Sequence, residues 1–484
     1  MLTLLLLCPL IGMLLILLSP KTAVGRIRTI ALVSTGAVCA GTLALAGAFP
    51  GGGGMLLEER IAWVPQMNIF YHLGVDGISL PMLVLTGLLG FLACLASASI
   101  KERLKEYYAL YLLLEVGMLG TFLSLDLFLF YIFWEVVLVP MYLLIGIWGG
   151  GRREYSAFKF FIYTLAGSLF RVMAILVLYL RTHTFDLLEL ERLAPTLDLP
   201  FQQLLFLAFF IGFAIKVPVF PFHTWLPDAH VDAPTPISVL LAGVLLKMGG
   251  YGFFRIAYPL FPQAAQWFAW AMALLGTINI VYGAFVAMAQ TDFKRLVAYS
   301  SVSHMGFVLL GLASLTPQGM NGAMFQMFSH GVITGGMFLL VGVLYDRAHT
   351  RQLDAFGGLG ARLPVYAGFL IFFSLASLGL PGLSGFVAEF LSLLGAFQVQ
   401  QLQLLTAIAV IGIVVAAAYM LKVMQQVLLG PLNEKWATLM DMTPREVASL
   451  VPLLVVVLAV GVWPLLILHL QDGAIQQLIA HILH

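Results

Sequence analysis

The chain has 484 residues, of which 61% are hydrophobic and only 10% are charged, and its formal net charge is +1. Soluble globular proteins carry roughly 25% charged residues, and no water-soluble fold could hide this much apolar surface, so the solvent must be the lipid bilayer. The near-zero net charge and the lack of a basic run give no indication of nucleic-acid binding. No two cysteines form a CxxC pair, so the sequence predicts no disulfide framework, zinc site or iron–sulfur cluster; the three are Cys8, Cys39 and Cys94.

Apolar stretches long enough to cross the bilayer recur along the whole chain. A transmembrane helix needs about 20 predominantly apolar residues. The first stretch lacks the basic n-region and small-residue cleavage site of a signal peptide, so it counts as span 1. The sequence therefore predicts an all-α polytopic membrane protein with about fourteen spans, near residues 2–18, 29–48, 78–98, 107–124, 127–148, 157–180, 202–222, 236–256, 265–289, 294–314, 322–345, 364–400, 403–429 and 449–470.

The basic residues of the connecting loops are unequally divided between the two sides of the membrane. Of the 24 Lys and Arg residues, sixteen fall in one set of alternate loops. The other set holds four, namely Arg60, Arg181, Arg192 and Arg255. Because loops rich in Lys and Arg stay in the cytoplasm, this bias predicts that both termini lie on the outer side.

Four charged side chains lie deep inside apolar runs, where each must find a partner or water. They are Glu135, Lys216, Lys247 and Glu389. A charged residue at the centre of a transmembrane helix costs about 2.5–3.5 kcal/mol on translocon scales. The simplest interpretation is a static ion pair that holds helices together. Alternating carboxylates and amines, whose charge can change with that of their neighbours, favour a proton relay instead.

Histidines inside predicted spans strengthen the relay hypothesis. His304 and His330 fall within spans 10 and 11, with serines beside them. A lone histidine in an apolar helix is more often a hydrogen-bonded packing residue, but two of them near buried lysines fit a hydrated relay better. Weaker candidates are His223 and His230, which border the Pro-rich loop 218–236 and could lie at a channel mouth, and the embedded charges Glu115 and Arg171. Glu115 could link laterally to a neighbouring subunit, and Arg171 could pair with a carboxylate that the sequence does not identify.

The ionisable residues recur at nearly constant offsets, which indicates an internal repeat. The offsets are 169, 173 and 175 residues, for the pairs Glu135 and His304, Lys216 and Glu389, and Lys247 and Lys422. The pairing relates span 5 to 10, 7 to 12 and 8 to 13. Because five spans per copy is an odd number, the second copy enters the membrane from the opposite side, as in many transporters. The predicted units are 1–106 (spans 1–3), 107–260 (first repeat), 261–430 (second, inverted repeat) and 431–484 (C-terminal loop and span 14).

Both repeats also interrupt the equivalent helix beside an ionisable residue. The first repeat places Pro218 and Pro221 after Lys216, and the second places Pro381 and Gly382 before Glu389. Proline removes a backbone donor and clashes with the preceding turn, and the freed carbonyls are tolerated at that depth only where they line protein or a wet cavity. Prolines also simply kink membrane helices, but their matched placement beside a charge favours a function. We therefore expect each broken helix to set its ionisable residue beside unpaired backbone and water.

Specific motifs from about residue 70 to residue 445 carry a family resemblance. They are GVDGIS at 74–79, FWE at 133–135 followed by PMY at 140–142, HTWLPDAH at 223–230, LKMGG at 246–250, DFKRLVAYSSVSHMG at 292–306 and GLPGLSGF at 379–386. Through them the chain resembles the antiporter-like subunits of proton-translocating NADH:quinone oxidoreductase, respiratory complex I. Among these it is similar to the M type (chain 4), which resembles this chain in carrying a Glu on span 12 (Glu389) where the relatives typically carry Lys.

The resemblance implies roles for the buried residues. Glu135 and Lys216 would form a pair in which the carboxylate tunes the lysine, Lys247 would be the central relay lysine, and His304 and His330 would connect it to Glu389, which would exchange protons with the periplasm. Arg171 departs from the pattern, since an apolar residue is expected at its position.

The resemblance also implies a setting in a larger assembly. The chain would be a subunit of the oxidoreductase without a cofactor of its own, while FMN, iron–sulfur clusters and quinone would belong to partner subunits. Its partners would be other membrane subunits, including two paralogous antiporter-like ones, in the inner membrane of the cell. Two alternatives remain open from the residues alone: a component of a multisubunit cation/proton antiporter, and a structural scaffold that leaves translocation to its neighbours.

Overall fold

In the computed structural model, which describes residues 1–483, the chain is a bundle of membrane-spanning helices. The fourteen predicted spans are all present, and twelve of them are single or continuous helices. Spans 1–14 are Leu2–Leu18, Val24–Ala48, Ser79–Ala96, Leu104–Leu123, Leu127–Trp148, Arg153–Thr182, Leu199–Lys216 continued by Trp225–Asp232, Thr235–Leu260, Pro262–Met288, Phe293–Ser314, Pro317–Ala348, Pro364–Ser377 continued by Ser384–Gln398, Gln403–Leu428 and Pro444–Val462.

The helices follow from the apolar composition, because a helix satisfies its own backbone hydrogen bonds and the hydrocarbon core offers no other partner. Within residues 1–483, eleven helices are long and apolar enough to cross a membrane, and three more are shorter and apolar. The shorter ones are span 1 and the two halves of span 12, and the remaining span is span 4, a helix of 20 residues that belongs to neither group. Spans 8 and 11 are buried along their whole apolar stretch, whereas spans 2 and 14 bury only 33% of theirs. The buried spans therefore form the centre of the bundle.

The structure contains elements that the apolar pattern did not predict. A two-stranded antiparallel hairpin, β1 (Leu57–Val64) and β2 (Ile69–Val75), connects spans 2 and 3. The helix of span 14 ends at Val462 instead of near residue 470, and a further helix, Leu465–Leu483, follows it. Short helices also lie at Leu187–Leu193 and Leu359–Arg362. The apolar pattern missed the hairpin because its strands contain too few consecutive apolar residues. It missed the last helix because that helix carries several polar residues.

The loops alternate between two faces of the bundle. One face, called here the hairpin face, carries the hairpin and the helix Leu465–Leu483. The opposite face, called here the basic face, carries the Lys- and Arg-rich loops. On the basic face Asp228 contacts three basic residues at the starts of spans 6 and 10, because its carboxylate lies 2.7 Å from Lys159 Nζ, 3.0 Å from Arg295 Nη2 and 3.6 Å from Arg152 Nη2. The asymmetry read from the sequence therefore corresponds to a real face of the molecule.

Arg255 is an exception to the predicted loops. It was assigned to a loop of the hairpin side, but it lies inside span 8, is 4% exposed, and pairs with the carboxylate of Asp76 at the start of span 3. The ion pair allows a guanidinium within the helix because each charge compensates the other. An isolated arginine would be costly there.

Matching backbone bridges identify the inverted repeat. On the hairpin face the residues around Asp126 and Asp186 exchange two backbone hydrogen bonds of 2.8 Å, and on the basic face those around Asp292 and Gln352 exchange two of 2.8 and 2.9 Å. Asp126 and Asp292, which are 166 residues apart (292 − 126), both cap the N-terminus of a span. In this register His304 lies one helical turn further along its span than Glu135 does. The predicted boundaries after residues 260 and 430 fall between helices, whereas the one after residue 106 falls inside span 4.

A buried charge cluster fastens the hairpin to the bundle. Asp186 Oδ2 lies 2.9 Å from His72 Nδ1 and 3.1 Å from Arg60 Nη2, and both of these residues belong to the hairpin. His72 Nε2 lies 2.9 Å from Glu58 Oε1. Burial raises the pKa of Asp186, but the hydrogen bond and charge of His72, together with the Glu189 amide and Arg60, outweigh it and leave that pKa below its ordinary value. Asp186 therefore holds the hairpin as a carboxylate.

Replacing Asp186 with asparagine should loosen the hairpin. Because the folded pKa is depressed, the carboxylate stabilises the native hairpin above pH ~4, the ordinary aspartate pKa, and this stabilisation is lost as the pH falls through the folded pKa. Hydrogen–deuterium exchange of residues 57–75 should therefore be faster in Asp186→Asn at neutral pH. The matched control is Asp198→Asn, an N-cap in the same loop whose carboxylate caps Phe201 instead. Equal exchange in both variants would contradict this role.

Candidate functional site

The most buried spans hold a continuous string of ionisable side chains. Lys247 on span 8 is 0% exposed, and its Nζ donates to the Ala242 carbonyl at 2.6 Å and lies 2.6 Å from His330 Nδ1 on span 11. A π-helical segment, Leu241–Leu245, immediately precedes this lysine. Such segments are frequent at functional sites because they interrupt the regular pattern of backbone hydrogen bonds. Here the altered turn presents a carbonyl to the lysine of its own helix.

The string continues from span 11 through span 10 to span 12. The rings of His330 and His304 lie 5.7 Å apart between centroids. His304 Nδ1 lies 3.0 Å from Glu389 Oε1, and its Nε2 lies 3.3 Å from Ser377 Oγ. The sequence proposed His304, His330 and Glu389 for one connection, and the structure brings all three together with Lys247. Ser377 is a member that sequence reasoning missed, because a serine in an apolar helix gives no signal of its own.

The break in span 12 makes room for the Glu389 carboxylate. Gly379 and Gly382 adopt φ of +81° and +91°, the left-handed region that glycine tolerates at little cost. A Cβ at Gly379 would lie 3.0 Å from Glu389 Oε2. Next to the carboxylate is a cavity whose space for the centre of a water molecule is about 10 Å³, enough for roughly one water. It is lined by His304, Gln326, His330, Ile333, Thr334, Ala376, Ser377, Gly385 and Glu389.

Glu135 has a different partner from the one the resemblance implied. Its Oε1 lies 3.2 Å from Arg171 Nη2 on span 6, so the structure pairs it with Arg171 and not with Lys216. The guanidinium also donates to Ser168 Oγ at 2.6 Å and stands 3.9 Å above the Trp134 ring. Arg171 occupies this place because its long side chain reaches from span 6 past Gly212, where a larger residue would collide with it.

Lys216 lies on the other side of the same aromatic cluster. Its Nζ is 5.8 Å from the Trp134 ring centre and 5.3 Å from that of Phe160, and the side chain is 2% exposed. Arg171 and Lys216 both lie within 6 Å of the Trp134 ring centre, where a positive charge is attracted to the negative face of the ring. Glu135, Arg171, Trp134 and Lys216 form a second cluster that is separate from the string around Lys247.

More of the backbone groups at the break in span 7 are hydrogen-bonded than the sequence suggested. The Ile215 carbonyl accepts from the Trp225 indole at 2.9 Å. The Asn279 amide accepts from the Phe220 backbone at 2.8 Å and donates to the Pro218 carbonyl at 3.0 Å. The expectation of unpaired backbone beside Lys216 was therefore wrong for these backbone groups, because the side chains of Trp225 and Asn279 form hydrogen bonds with them.

The weaker candidates lie in three different environments. His223 and His230 are buried on the basic side of the break, His223 among Phe220 and Tyr282, and His230 stacked 4.6 Å from Phe338. Glu115 is 0% exposed and packs against Gly90 in the bundle of spans 1–4. Lys422, which the offsets paired with Lys247, donates instead to the Met288 carbonyl at 3.0 Å, at the basic end of span 9. The string therefore does not include Lys422.

These features define a class of protein: a polytopic membrane protein with inverted repeats, broken helices and ionisable groups at membrane depth, which is the architecture of ion transporters. Residues 124–416 match the family model described as "NADH:quinone oxidoreductase/Mrp antiporter, TM". The protein named NADH-quinone oxidoreductase subunit M of Rhodobacter capsulatus is 48% identical over 449 residues, covering 90% of this chain and 87% of that protein. The protein of the same name from Rickettsia conorii is 45% identical, covering 87% and 85%.

Solved structures agree with these relatives. A chain of respiratory complex I from Thermus thermophilus with bound NADH matches with a TM-score of 0.90 and 33% identity, covering 99% of this chain and 100% of that chain. A chain of the Mrp complex from a Dietzia species matches with a TM-score of 0.85 at 23% identity, which shows a shared fold. The chain belongs to the NADH:quinone oxidoreductase/Mrp antiporter family, in the group of NADH-quinone oxidoreductase M subunits.

The pairing of Glu135 with Arg171 can be tested by a double-mutant cycle. Arg171→Leu should lower the melting midpoint of the assembled complex, because it leaves a carboxylate without its cation in an apolar setting. Removing one partner of a fully buried pair costs about 3–5 kcal/mol, and the loss here should be smaller because Glu135 is 24% exposed. The double variant Glu135→Gln/Arg171→Leu should melt higher than Arg171→Leu alone. Strictly additive losses would show that the two side chains do not interact.

Proposed function

We propose that this chain translocates protons across the membrane as a subunit of an NADH:quinone oxidoreductase. The observation that carries the proposal is the string of four titratable side chains across four of the innermost spans, from Lys247 through His330 and His304 to Glu389. Each member can gain and lose a proton, and consecutive members are in contact or close enough for one intervening water. The cluster of Glu135, Arg171 and Lys216 would supply the string from the opposite side.

Buried charges at these distances affect one another strongly. Two unit charges 4 Å apart interact by roughly 4 kcal/mol at an effective dielectric of 20, which is many times the thermal energy. Loading or unloading one member therefore changes the proton affinity of its neighbour enough to move a proton onward. The chemistry needs a lysine to hold the proton at mid-membrane, imidazoles to carry it between spans, and a carboxylate to release it. The string supplies these groups in that order.

Electron transfer would take place in other subunits, where FMN, iron–sulfur clusters and quinone are expected. The Cys8, Cys39 and Cys94 thiols lie on spans 1, 2 and 3, and among residues 1–483 no three His, Cys, Asp or Glu side chains are grouped as metal ligands. This chain would respond to charge changes transmitted along the membrane plane. Glu135 is well placed to receive them, because it is 24% exposed on the lateral surface of the isolated chain.

The same reasoning places the chain in its membrane. Two paralogous antiporter-like subunits would be its lateral neighbours in the inner membrane. The basic face would lie in the cytoplasm, and the hairpin face, with Met1 and the helix Leu465–Leu483, would lie on the periplasmic side. Glu389 would then release protons toward the hairpin face.

The relay should fail when its central lysine is removed. Lys247→Ala should abolish or strongly reduce proton translocation by the assembled complex, because it deletes the span-8 group that contacts His330. The measurement is the number of protons moved per electron in proteoliposomes. The matched control is Lys422→Ala, which removes a lysine of span 13 that lies outside the string. Normal stoichiometry in Lys247→Ala, confirmed in Glu389→Ala and Lys216→Ala, would reject the relay and favour a structural scaffold.

The rival function is exchange of sodium for protons in a multisubunit antiporter. The relatives at 45–48% identity are named as oxidoreductase subunits, whereas the Mrp chain shares 23% identity. Carboxylates and carbonyls suit a hard cation such as sodium, but the string from Lys247 to His304 presents amine and imidazole nitrogens, which bind protons instead. We therefore favour the proton pump.

Translocation by the reconstituted complex should be independent of sodium. Replacing sodium with choline in the buffer should leave the NADH-driven pH gradient unchanged, since amine and imidazole nitrogens from Lys247 to His304 carry protons and do not bind sodium. A sodium ionophore added during turnover should likewise have no effect. A gradient that collapses without sodium and returns on its addition would support the antiporter.

A further inference from the structure

A second line of polar side chains leaves Lys247 in a different direction, along span 8 toward the hairpin face. Lys247, Tyr251 and Arg255 are spaced four residues apart, so they lie on one face of the helix. The α-helix holds Lys247 and Tyr251, and Arg255 follows in the π-helical segment Phe253–Ala257. This line is separate from the string through His330, and the proposed function does not use it.

Every group in this line is held by a fixed partner. The Tyr251 hydroxyl donates to the Phe122 carbonyl at 3.0 Å and accepts from Arg255 Nε at 3.1 Å. Arg255 Nη2 donates to the Asp76 carboxylate. Asp76 Oδ1 also accepts from the Ile78 and Ser79 amides, each at 3.0 Å. Tyr251, Arg255 and Asp76 are all nearly or fully buried.

Beyond the Arg255–Asp76 pair lies a polar cavity on the hairpin face. Its space for water centres is about 360 Å³, far more than the ~10–15 Å³ that one water needs. Asp76, Glu191, Arg255 and His481 line it, together with the helix Leu465–Leu483, which forms one wall through Ala474, Gln477 and Leu478. Water in this cavity would reach the guanidinium, and Tyr251 lies between the guanidinium and Lys247 along this face of span 8.

We propose that Arg255, fixed by Asp76 and Tyr251, is a proton barrier that closes span 8 toward the hairpin face. The proposal rests on the proposed function, since a barrier matters only if Lys247 carries a proton. A guanidinium stays charged at any physiological pH and accepts no hydrogen bond, so it cannot pass a proton on and its charge repels one. Tyr251 does not bypass it, because its single hydroxyl proton is donated to the Phe122 carbonyl and points neither to Lys247 nor to the cavity. A proton on Lys247 then leaves only through His330.

The barrier also has a physical purpose. A pump needs its central site to exchange with one side at a time, and an open path from Lys247 to the hairpin-face cavity would let protons flow back down the gradient. The permanent charge of the Arg255 guanidinium blocks the passage of protons and still allows the protein to fold. The alternative is that the Arg255–Asp76 pair has only a structural role, holding span 3 against span 8. In that case the charges would be dispensable as long as the hydrogen bonds remained.

The test, made in the assembled complex, distinguishes a barrier that depends on charge from a purely structural role of the ion pair. In Asp76→Asn/Arg255→Gln, amides replace both charged groups and remain able to donate and accept hydrogen bonds. Proteoliposomes holding this variant should oxidise NADH at the normal rate, build a smaller pH gradient, and lose that gradient severalfold faster once NADH is exhausted. Arg255→Lys, which keeps a cation but one that can release its proton, should leak less than the double variant and more than the unmodified complex. A double variant that assembles and holds its gradient normally would overturn the barrier.

A second variant gives a pH-dependent readout that a purely structural role of the ion pair would not produce. In Arg255→His the leak should rise with pH, because the imidazole loses its charge near its ordinary pKa of about 6.5. A leak that is absent or flat across this range would count against the barrier even if the double variant fails to assemble. Adding Lys247→Leu separates the two proposals. If the barrier is real, removing Lys247 should stop the leak in the Arg255 variants, whereas a leak that persists while Lys247→Leu pumps normally would mean that the relay itself has been misassigned.

Discussion

A charged group in hydrocarbon must be compensated inside the protein, and this constraint organises the whole molecule. It explains why the embedded charged side chains point into the bundle and find partners there, as Lys247 does on span 8 and Glu389 does on span 12, while the lipid-facing surfaces present leucine, valine and phenylalanine. It explains why Arg255 is tolerated within a helix only opposite Asp76. It also explains the two breaks, because a helix can be interrupted at depth only where side chains such as Trp225 and Asn279 take over the freed backbone groups.

The sequence was sufficient for the architecture and insufficient for the pairing. Span number, the alternation of basic loops and the inverted repeat follow from hydropathy, charge bias and spacing, which are properties of the chain read in one dimension. Which side chain faces which depends on helix rotation and side-chain length, and the sequence contains neither directly. Arg171 shows the difference: it was visible as an embedded charge, but only the packing of span 6 on span 5 shows that Glu135 is its partner. Lys422 shows the converse, since a regular offset paired it with Lys247, whereas its Nζ donates to the Met288 carbonyl at the basic end of span 9.

The two repeats share a plan and use it differently. In span 7 the ionisable residue, Lys216, is the last residue before the break, and the break itself is closed by hydrogen bonds from Trp225 and Asn279. In span 12 the ionisable residue, Glu389, comes after the break, beside two glycines in left-handed conformations and a small polar cavity. Inversion of the repeat thus gives one lysine among aromatic rings and one carboxylate among hydroxyl and imidazole groups. A symmetrical backbone carries an asymmetrical set of proton-binding groups.

The contact between Lys247 and His330 has a consequence for the direction of transfer. An ammonium group can only donate, so while Lys247 is protonated His330 Nδ1 must accept, and a neutral ring must then carry its own hydrogen on Nε2. The lysine thereby selects one tautomer of its neighbour. A proton delivered to Nδ1 frees the one on Nε2 to leave from the far edge of the ring, and the ring must afterwards exchange tautomers or turn over before it can accept again. Because this change of tautomer must precede the next transfer, it would limit the ring to one proton for each time that Lys247 is protonated.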